Sequence, residues 1–368
     1  MNSTSLDTDF PAFTVGAVRS ALVVGLTTPP EPVIDRVHLA YPSRINAMAL
    51  DSSKIIPNGD SAYLAGELLI ACDLPRHVEV TIVDDGPPVQ TTPDCDHPAL
   101  ARHAALLVRT ALGAHERLRI RVTAPDLPAH LGLGSSSGQI AAVAAAVNEL
   151  YGRPIPARQL VKFLARNHGE EIDADADHLL PVQCLGGSAT AGLIPGAVQV
   201  IAGAQVPLLQ ASLPDDTHIV LGMPHNPVIW DARTSLAAEA DYFDAFATTG
   251  RTYGPQIAYR LLHDAWPALI DGDLRPLGQL LFDYRFRMGS IANCAFSHPD
   301  LLATAAKVEH IFMDDIADVL TLSSVGPTFA AVTRTPDQCA AAFTNVGLRT
   351  LRCLPRNDGY TVHHGPAS

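Results

Sequence analysis

The stretch LPAHLGLGSSSGQIAAVAAAVNEL, from Leu127 to Leu150, constrains the fold more than any other part of the chain. Ile140, Val143, Val147 and Leu150 recur at helical spacing, so the glycines and serines ahead of them sit where a helix begins rather than inside a flexible linker. Backbone N–H groups at a helix start have no partner within the helix and add to the positive end of its dipole. Gly132 and Gly134 leave room for an oxyanion to approach those groups. Ser135, Ser136 and Ser137 add hydroxyls that can bond a phosphate oxygen or ligate Mg2+. The turn is a candidate anion cradle, and the alternative is a glycine-softened N-cap that holds nothing.

On either side of this turn the chain changes rhythm once. RVHLAYPSRINAMALD reads as two extended runs broken at Pro42, while HVEVTIVDD and RLRIRVTA alternate apolar and polar residues as half-buried strands do. HPALARHAALLVRTALG predicts a helix with Asp96 as N-cap and Gly113 as stop, and PARQLVKFLARNHG a second helix opened by proline and closed by glycine. Farther on, THIVLGMP is a strand, residues 233 to 312 are mostly helical and DVLTLSSVGPTFAAVTR is a strand–turn–strand. PDQCAAAFTNVG is a helix and LRTLRCLP a closing strand. This order predicts an α+β sandwich with an antiparallel sheet, divided into an extension (1–34), an N-terminal domain (35–205) and a C-terminal domain (206–368).

With 368 residues, 47% apolar and 17% charged, the chain can bury a large core. Its net charge of -13 argues against a nucleic-acid or anionic-membrane partner, either of which would demand a large positive patch, but leaves phosphate-bearing small ligands open. The early apolar stretch FTVGAVRSALVVGL is interrupted by Arg19 and follows Asp7 and Asp9, so it reads neither as a membrane span nor as a signal peptide. Six cysteines without a CxxC pair or metal-ligand spacing read as reduced thiols of a cytoplasmic enzyme.

The run from Pro128 to Ser137 resembles the phosphate-loop signature Pro-x3-Gly-Leu-Gly-Ser-Ser-Ala of the GHMP superfamily, named after galactokinase, homoserine kinase, mevalonate kinase and phosphomevalonate kinase. DADHLLPVQCLGG is similar to a homoserine kinase segment in which an Asp-Asn pair precedes a proline and two glycines. Asp177, His178, Pro181, Gly186 and Gly187 take those places, with one residue inserted before the glycines. YPSRINAMALD resembles the opening strand–turn, where a basic residue after the proline faces the active site. In place of the glycine run that closes the third kinase motif stands LSSVGPTFAAV. It resembles the Ser-Ser-x-Gly-Pro-Thr motif of β-ribofuranosylaminobenzene 5′-phosphate synthases and the related C-nucleoside synthases, carried here by Ser323, Ser324, Gly326 and Thr328. Those enzymes also carry Pro-x-Arg-[Ile/Leu]-His-x4-Asp, matched by Pro42, Arg44, Ile45 and Asp51, with Asn46 in the place of histidine.

The resemblance implies a two-domain GHMP-kinase-like α+β fold, with an N-terminal mixed sheet and a C-terminal ferredoxin-like antiparallel sheet, each with helices. It implies coupling of phosphoribosyl pyrophosphate to an aromatic or heteroaromatic carboxylic acid, with loss of pyrophosphate and CO2 and with Mg2+ as cofactor. Asn46 points away from aminobenzoate toward a heterocyclic acid. On this reading the glycine–serine turn binds pyrophosphate and Arg44, Asn46, Asp177 and His178 stand at the reacting centre. Asp51, Ser323, Ser324, Gly326 and Thr328 meet the substrates.

Mg2+ takes one or two carboxylates, so most of the acidic run Glu170, Glu171, Asp173, Asp175 and Asp177 reads as solvated surface. Position relative to the superfamily motif favours Glu170, as metal ligand with Ser136, and Asp177. Arg285 and Arg287, close together in DYRFRMGS, either take the 5′-phosphate or cover apolar surface with their stems. His130 and His178 flank motif residues as proton acceptors or as structural histidines. The competing readings are an ATP-dependent small-molecule kinase, with Asp177 near the acceptor hydroxyl, and a silent ligand-binding protein. A homodimer is left open.

Overall fold

A computed structural model of the chain describes residues 11–363, apart from 23–24, 26–27, 56–64, 128–130, 174 and 229–231. The first unit is built on two long strands, β2 (Arg36–Ala49) and β3 (Glu67–Val83), which follow the edge strand β1 (Phe13–Thr14) in the chain. Next come β4 (Val89–Thr91), α1 (Pro98–Leu112), β5 (Arg117–Thr123), α2 (Ser135–Leu150) and α3 (Ala157–Arg166). The hairpin β6 (Gly169–Ile172) and β7 (Asp175–Pro181), α4 (Gly187–Leu193), β8 (Val198–Ala202) and β9 (Val206–Ala211) complete it. β3 is long enough to pair along one edge with β2 and along the other with both β5 and β8, while β4 runs parallel to β5 and makes the sheet mixed. Because β9 pairs with β8, this sheet continues past residue 205.

β2 is one strand, not two runs. Pro42 has no N–H to give to the ladder, and the pairing with β3 shifts register between Tyr41 and Ser43 instead of stopping. A second shift between Asn46 and Met48 drops Ala47 from the ladder. α1 stops at Gly113 (φ 65) as expected, but Asp96 does not cap it. His97, left-handed at φ 45, precedes Pro98, and the Asp96 carboxylate accepts the Ala124 N–H at the end of β5. α3 ends at Asn167, before Gly169, which opens β6.

The second unit starts with β10 (His218–Met223) and a helical run: α5 (Ala232–Ala240), α6 (Phe243–Arg260), α7 (Trp266–Ile270), α8 (Arg275–Phe282), α9 (Ser290–Asn293), α10 (Leu301–Val308) and α11 (His310–Met313). β11 (Val319–Leu322), β12 (Phe329–Thr333), α12 (Pro336–Asn345) and β13 (Arg349–Cys353) follow, and β14 (Thr361–Val362) returns to pair with β2. The strand order β11-β12-β10-β13, antiparallel throughout, is ferredoxin-like. Phe282, Phe312, Phe329 and Phe343 pack on one face of this sheet. A separate core joins Ile45, Met48, Leu131 and Leu133 of the first unit to Leu277, Leu280 and Leu281 of the second, so a buried seam holds the units together. All six cysteines are free thiols. Among the described residues no helix is long and apolar enough to cross a membrane.

The described part of the extension is an edge strand with a histidine lock. β1 pairs antiparallel with β7. Asn167 Oδ1 accepts the N–H groups of Arg19 and Ser20, while His103 Nδ1 accepts that of Gly16 and its Nε2 bonds the Asn167 carbonyl. Burial pushes the fully buried His103 down to about 4, so its Nδ1 stays an acceptor at neutral pH. The folded value lies below the ordinary 6.5, so this stability is complete above 6.5 and drains away as pH falls through about 4. Urea unfolding of wild type and His103→Gln at pH 7 and pH 4 checks this. The wild type is expected to lose about 2–3 kcal/mol more than the variant over that interval, and an equal loss in both would refute the lock.

Candidate functional site

The two units face each other across a cleft with two connected lobes. One is built around the turn before α2 and is lined by Gly132, Gly134, Ser135, Ser136 and Ser137. α2 is buried on all faces among α1, α4, β2 and β3, which fixes where its N-terminus points. Gly132 and Gly134 have φ of +77° and +73°. A Cβ at Gly132 would lie 2.7 Å from the Ser323 carbonyl, and one at Gly134 would lie 2.5 Å from Ser188 Oγ, so both positions require glycine. From behind, the fully buried Arg76 donates to the Gly134 carbonyl (3.0 Å) and to Ser43 Oγ (3.2 Å). Burial lowers Arg76 only to about 10, so it stays cationic at neutral pH. Arg44, on β2, stands against Gly134 with Nε and Nη1 buried and without a protein partner. A cation with unused donors beside unpaired helix amides can hold an anion.

The acidic wall of this lobe comes from β6 and the start of α1. His168 Nε2 lies 3.0 Å from Glu170 Oε1, and His97 Nδ1 lies 2.6 Å from Glu171 Oε2. Burial alone would raise the Glu170 carboxyl, but hydrogen bonds from His168 and Ser136 and the nearby histidines bring it below its ordinary value. The hydrogen bond to Glu171 raises His97. Ser136 and Glu170 thus meet. Among the described residues no cluster of three or more His, Cys, Asp or Glu side chains could hold a metal by itself. A hard cation here would take one hydroxyl and one ionised carboxylate from the protein and its other oxygens from a phosphate ligand, a donor set that suits Mg2+.

The turn between β11 and β12 closes the cleft. Ser323 Oγ donates to the Gly132 carbonyl (2.8 Å), and the Ser324 N–H donates to the Asn46 carbonyl (2.8 Å). Ser324 and Gly326 line the loop lobe. Thr328 is buried, with Oγ1 lacking a partner, and does not line the cleft. The other lobe has Asn46, Glu239 and Arg285 among apolar walls of Ala49, Ile55, Phe246 and Tyr284. Burial pushes the thiols of Cys184 and Cys294 in this lobe up to about 12, so neither is a thiolate nucleophile at neutral pH.

Several residues singled out in the sequence lie elsewhere. Arg285 lines the cleft but spends its donors inside the protein, on the Ala47 carbonyl (3.1 Å), the Asn46 carbonyl (3.1 Å) and Ser290 Oγ (3.0 Å). Arg287, one turn edge away, pairs with Glu309 at the surface. Asp51 caps the 3-10 turn Ser52–Lys54 by accepting from Ser53 N and Oγ. Asp177 is exposed and pairs weakly with Arg102, and His178 bonds Asp175. Neither lines the cleft, because β7 carries them to the outer edge of the hairpin, where β1 covers the ladder. His130 lies outside the described residues. The residues not singled out are Arg76, His97, His168 and Glu239. His168 stands two residues before Glu170, a spacing that puts both on one face of an extended segment.

Residues 99–187 match the model of the GHMP kinases N terminal domain. The chain carries a GHMP N-terminal domain. A β-ribofuranosylphenol 5′-phosphate synthase from Archaeoglobus fulgidus is similar to it, with 25% identity over 306 residues covering 81% of this chain and 88% of that one. Solved structures agree in fold. A homoserine kinase from Cytophaga hutchinsonii has a TM-score of 0.60 at 15% identity, covering 90% of this chain and 99% of that one. A mevalonate diphosphate decarboxylase from Staphylococcus aureus has a TM-score of 0.57 at 14% identity, covering 90% and 98%. The α+β architecture is therefore the two-domain GHMP kinase fold, with the glycine–serine turn inside the matched domain.

The contrast between the two arginines is measurable. Arg285→Met removes a buried cation and its hydrogen bonds to the Asn46 and Ala47 carbonyls and to Ser290 Oγ, so it should cost about 3 kcal/mol. Arg287→Met breaks only a half-exposed pair and should stay within about 1 kcal/mol. Denaturant midpoints of the two variants check this, and equal midpoints would refute the clamp.

Proposed function

We propose that this protein is a decarboxylating phosphoribosyltransferase, which joins C1 of phosphoribosyl pyrophosphate to a ring carbon of an aromatic or heteroaromatic carboxylic acid and releases pyrophosphate and CO2. The observation that carries the reading is Arg44. It is a cation with two buried, unpartnered nitrogens beside the Gly134 turn, at a point that lines both lobes of the cleft. One lobe offers amides, hydroxyls and an ionised carboxylate, as a pyrophosphate with its Mg2+ requires. The other offers apolar and aromatic walls, as a flat ring acid requires. The similarity to the synthase from Archaeoglobus fulgidus supports the same reaction class.

The reaction breaks the C1–O bond to pyrophosphate through an oxocarbenium-like transition state, with negative charge growing on the leaving group. Arg44, the amides of Ser135 to Ser137 and, from behind, Arg76 stabilise that charge where it develops. Glu170 and Ser136 would hold Mg2+, which offsets phosphate charge when bound. Asn46 and Ser324 present polar groups to the ring acid without a tight salt bridge, and this leaves the carboxylate free to depart as CO2. The position of Asp177 speaks against a kinase. An aspartate serving an acceptor hydroxyl belongs in the cleft, and this one is exposed on the hairpin edge.

Incubation of the purified protein with Mg2+, a panel of aromatic acids and either phosphoribosyl pyrophosphate or ATP tests the reading. Pyrophosphate with an equal amount of CO2 is expected, and ADP would establish a kinase instead. Ser136→Ala should weaken calorimetric binding of Mg2+-pyrophosphate roughly tenfold, in line with the loss of one hydrogen bond to a charged group. Unchanged binding would remove this turn from the site.

A further inference from the structure

Glu239 has no role in the reading so far, and its surroundings differ from those of Glu170 and Glu171. It stands on α5, which packs over β6 and the 3-10 turn Ala295–Ser297, and it lines both lobes together with Arg44, Ser137, Glu170 and Ser324. It therefore sits where the contents of the two lobes meet. Glu170 and Glu171 each bond a histidine. Glu239 is half-buried, and desolvation in the cleft pushes its carboxyl up to about 7, with no opposing charge or hydrogen bond. The groups that face it are Glu170, Glu171, Asp173 and His168 on and beside β6, His97 before α1, Cys184 and Cys294, and Arg44 and Arg285 across the lobes, while Arg233 and Asp241 flank it on its own segment. Arg285 is committed to the carbonyls of Asn46 and Ala47.

A ring carbon that already bears a carboxylate attacks C1 only if the ring is electron-rich. An O–H or N–H conjugated to that carbon supplies the electrons when its proton is taken. We infer that Glu239 is the proton acceptor for the ring acid, taking the proton of the group conjugated to the attacking carbon. This rests on the synthase reading above.

The step balances without a further reactant. The C1–O bond breaks, and its pair leaves with pyrophosphate. The ring carbon forms the C–C bond as Glu239 takes the O–H or N–H proton, which leaves a dearomatised ring carrying both ribose and carboxylate. The C–CO2 bond then breaks, its pair returns to the ring, and Glu239 gives the proton back to the same oxygen or nitrogen. No net proton is consumed.

The test follows pyrophosphate release by wild type, Glu239→Gln and Glu239→Asp, with calorimetric Kd for phosphoribosyl pyrophosphate and Mg2+ measured alongside. The acids are para-hydroxybenzoate, para-aminobenzoate and pyrrole-2-carboxylate, each with a fully methylated counterpart that has no removable proton. Turnover only of the unmethylated acids is expected. Glu239→Gln should lower kcat roughly 10²- to 10⁴-fold with the phosphoribosyl pyrophosphate Kd within about twofold, and Glu239→Asp should recover part of it. Wild-type kcat/KM should rise with pH through about 7, the value to which burial brings this carboxyl, and the Gln variant should lose that limb. Methylated acids turned over as fast as their parents would overturn the inference and leave the synthase standing. A Gln variant that loses phosphoribosyl pyrophosphate affinity but keeps kcat would also overturn it, by assigning Glu239 to the ribose hydroxyls. A wild type that releases no pyrophosphate with any acid would overturn both readings together.

Discussion

The carbonyls of Asn46 and Ala47, at the point where β2 shifts register against β3, hold the rest of the molecule in register. The shift there turns them toward the second unit, where Arg285 donates to both, Thr321 Oγ1 to Ala47 and the Ser324 N–H to Asn46. A buried guanidinium with neutral acceptors is an expensive way to join two units, because desolvation of the cation is not offset by a carboxylate. Its planar fork nevertheless fixes distance and angle in a way that an apolar seam alone does not. The closing turn reaches the phosphate-type loop through Ser323 and Gly132, so one network sets the width of the cleft at both lobes.

Charge is distributed to serve that cleft in a chain of net charge -13. A polyanion would be repelled from most of such a surface, yet Arg76 and Arg44 lie close together under and beside the loop, one neutralised by no carboxylate and the other left with free donors. A small anion needs only this local field, which low-dielectric surroundings strengthen. The acids nearest the loop, Glu170 and Glu171, are in turn each held by a histidine, which aims the carboxylate.

What was legible in the sequence was local. The glycine–serine turn, its helix, the strand–turn–strand at Ser323 to Thr328 and the ferredoxin-like order follow from spacing and turn chemistry, which depend on a few neighbouring residues. The roles of long polar side chains were not legible. Arg285 and Arg287 are two residues apart, and only the π turn at Asp283–Arg287 sends one inward and the other to Glu309. Asp177 matches a superfamily position in sequence, but β1 from the extension pairs with β7 and holds that strand at the outer edge. Glu239 belongs to a short polar helix with no apolar stripe, so nothing in its own segment announces that α5 covers the cleft.

The acids of the cleft show how one site can hold carboxylates for opposite tasks. A metal-binding carboxylate must stay ionised through the cycle, and Glu170 has His168 and Ser136 to stabilise its anion. A group that takes and returns a proton must cost little in either state, and burial without a partner gives Glu239 that balance near neutral pH. The difference arises from secondary structure. β6 presents Glu170 to residues of its own unit, whereas α5 carries Glu239 in from the other unit, where its carboxyl has no hydrogen-bond partner. A fold made of two units can therefore set the two carboxylates apart by placing them on opposite walls, and the seam at Arg285 keeps those walls at a constant separation.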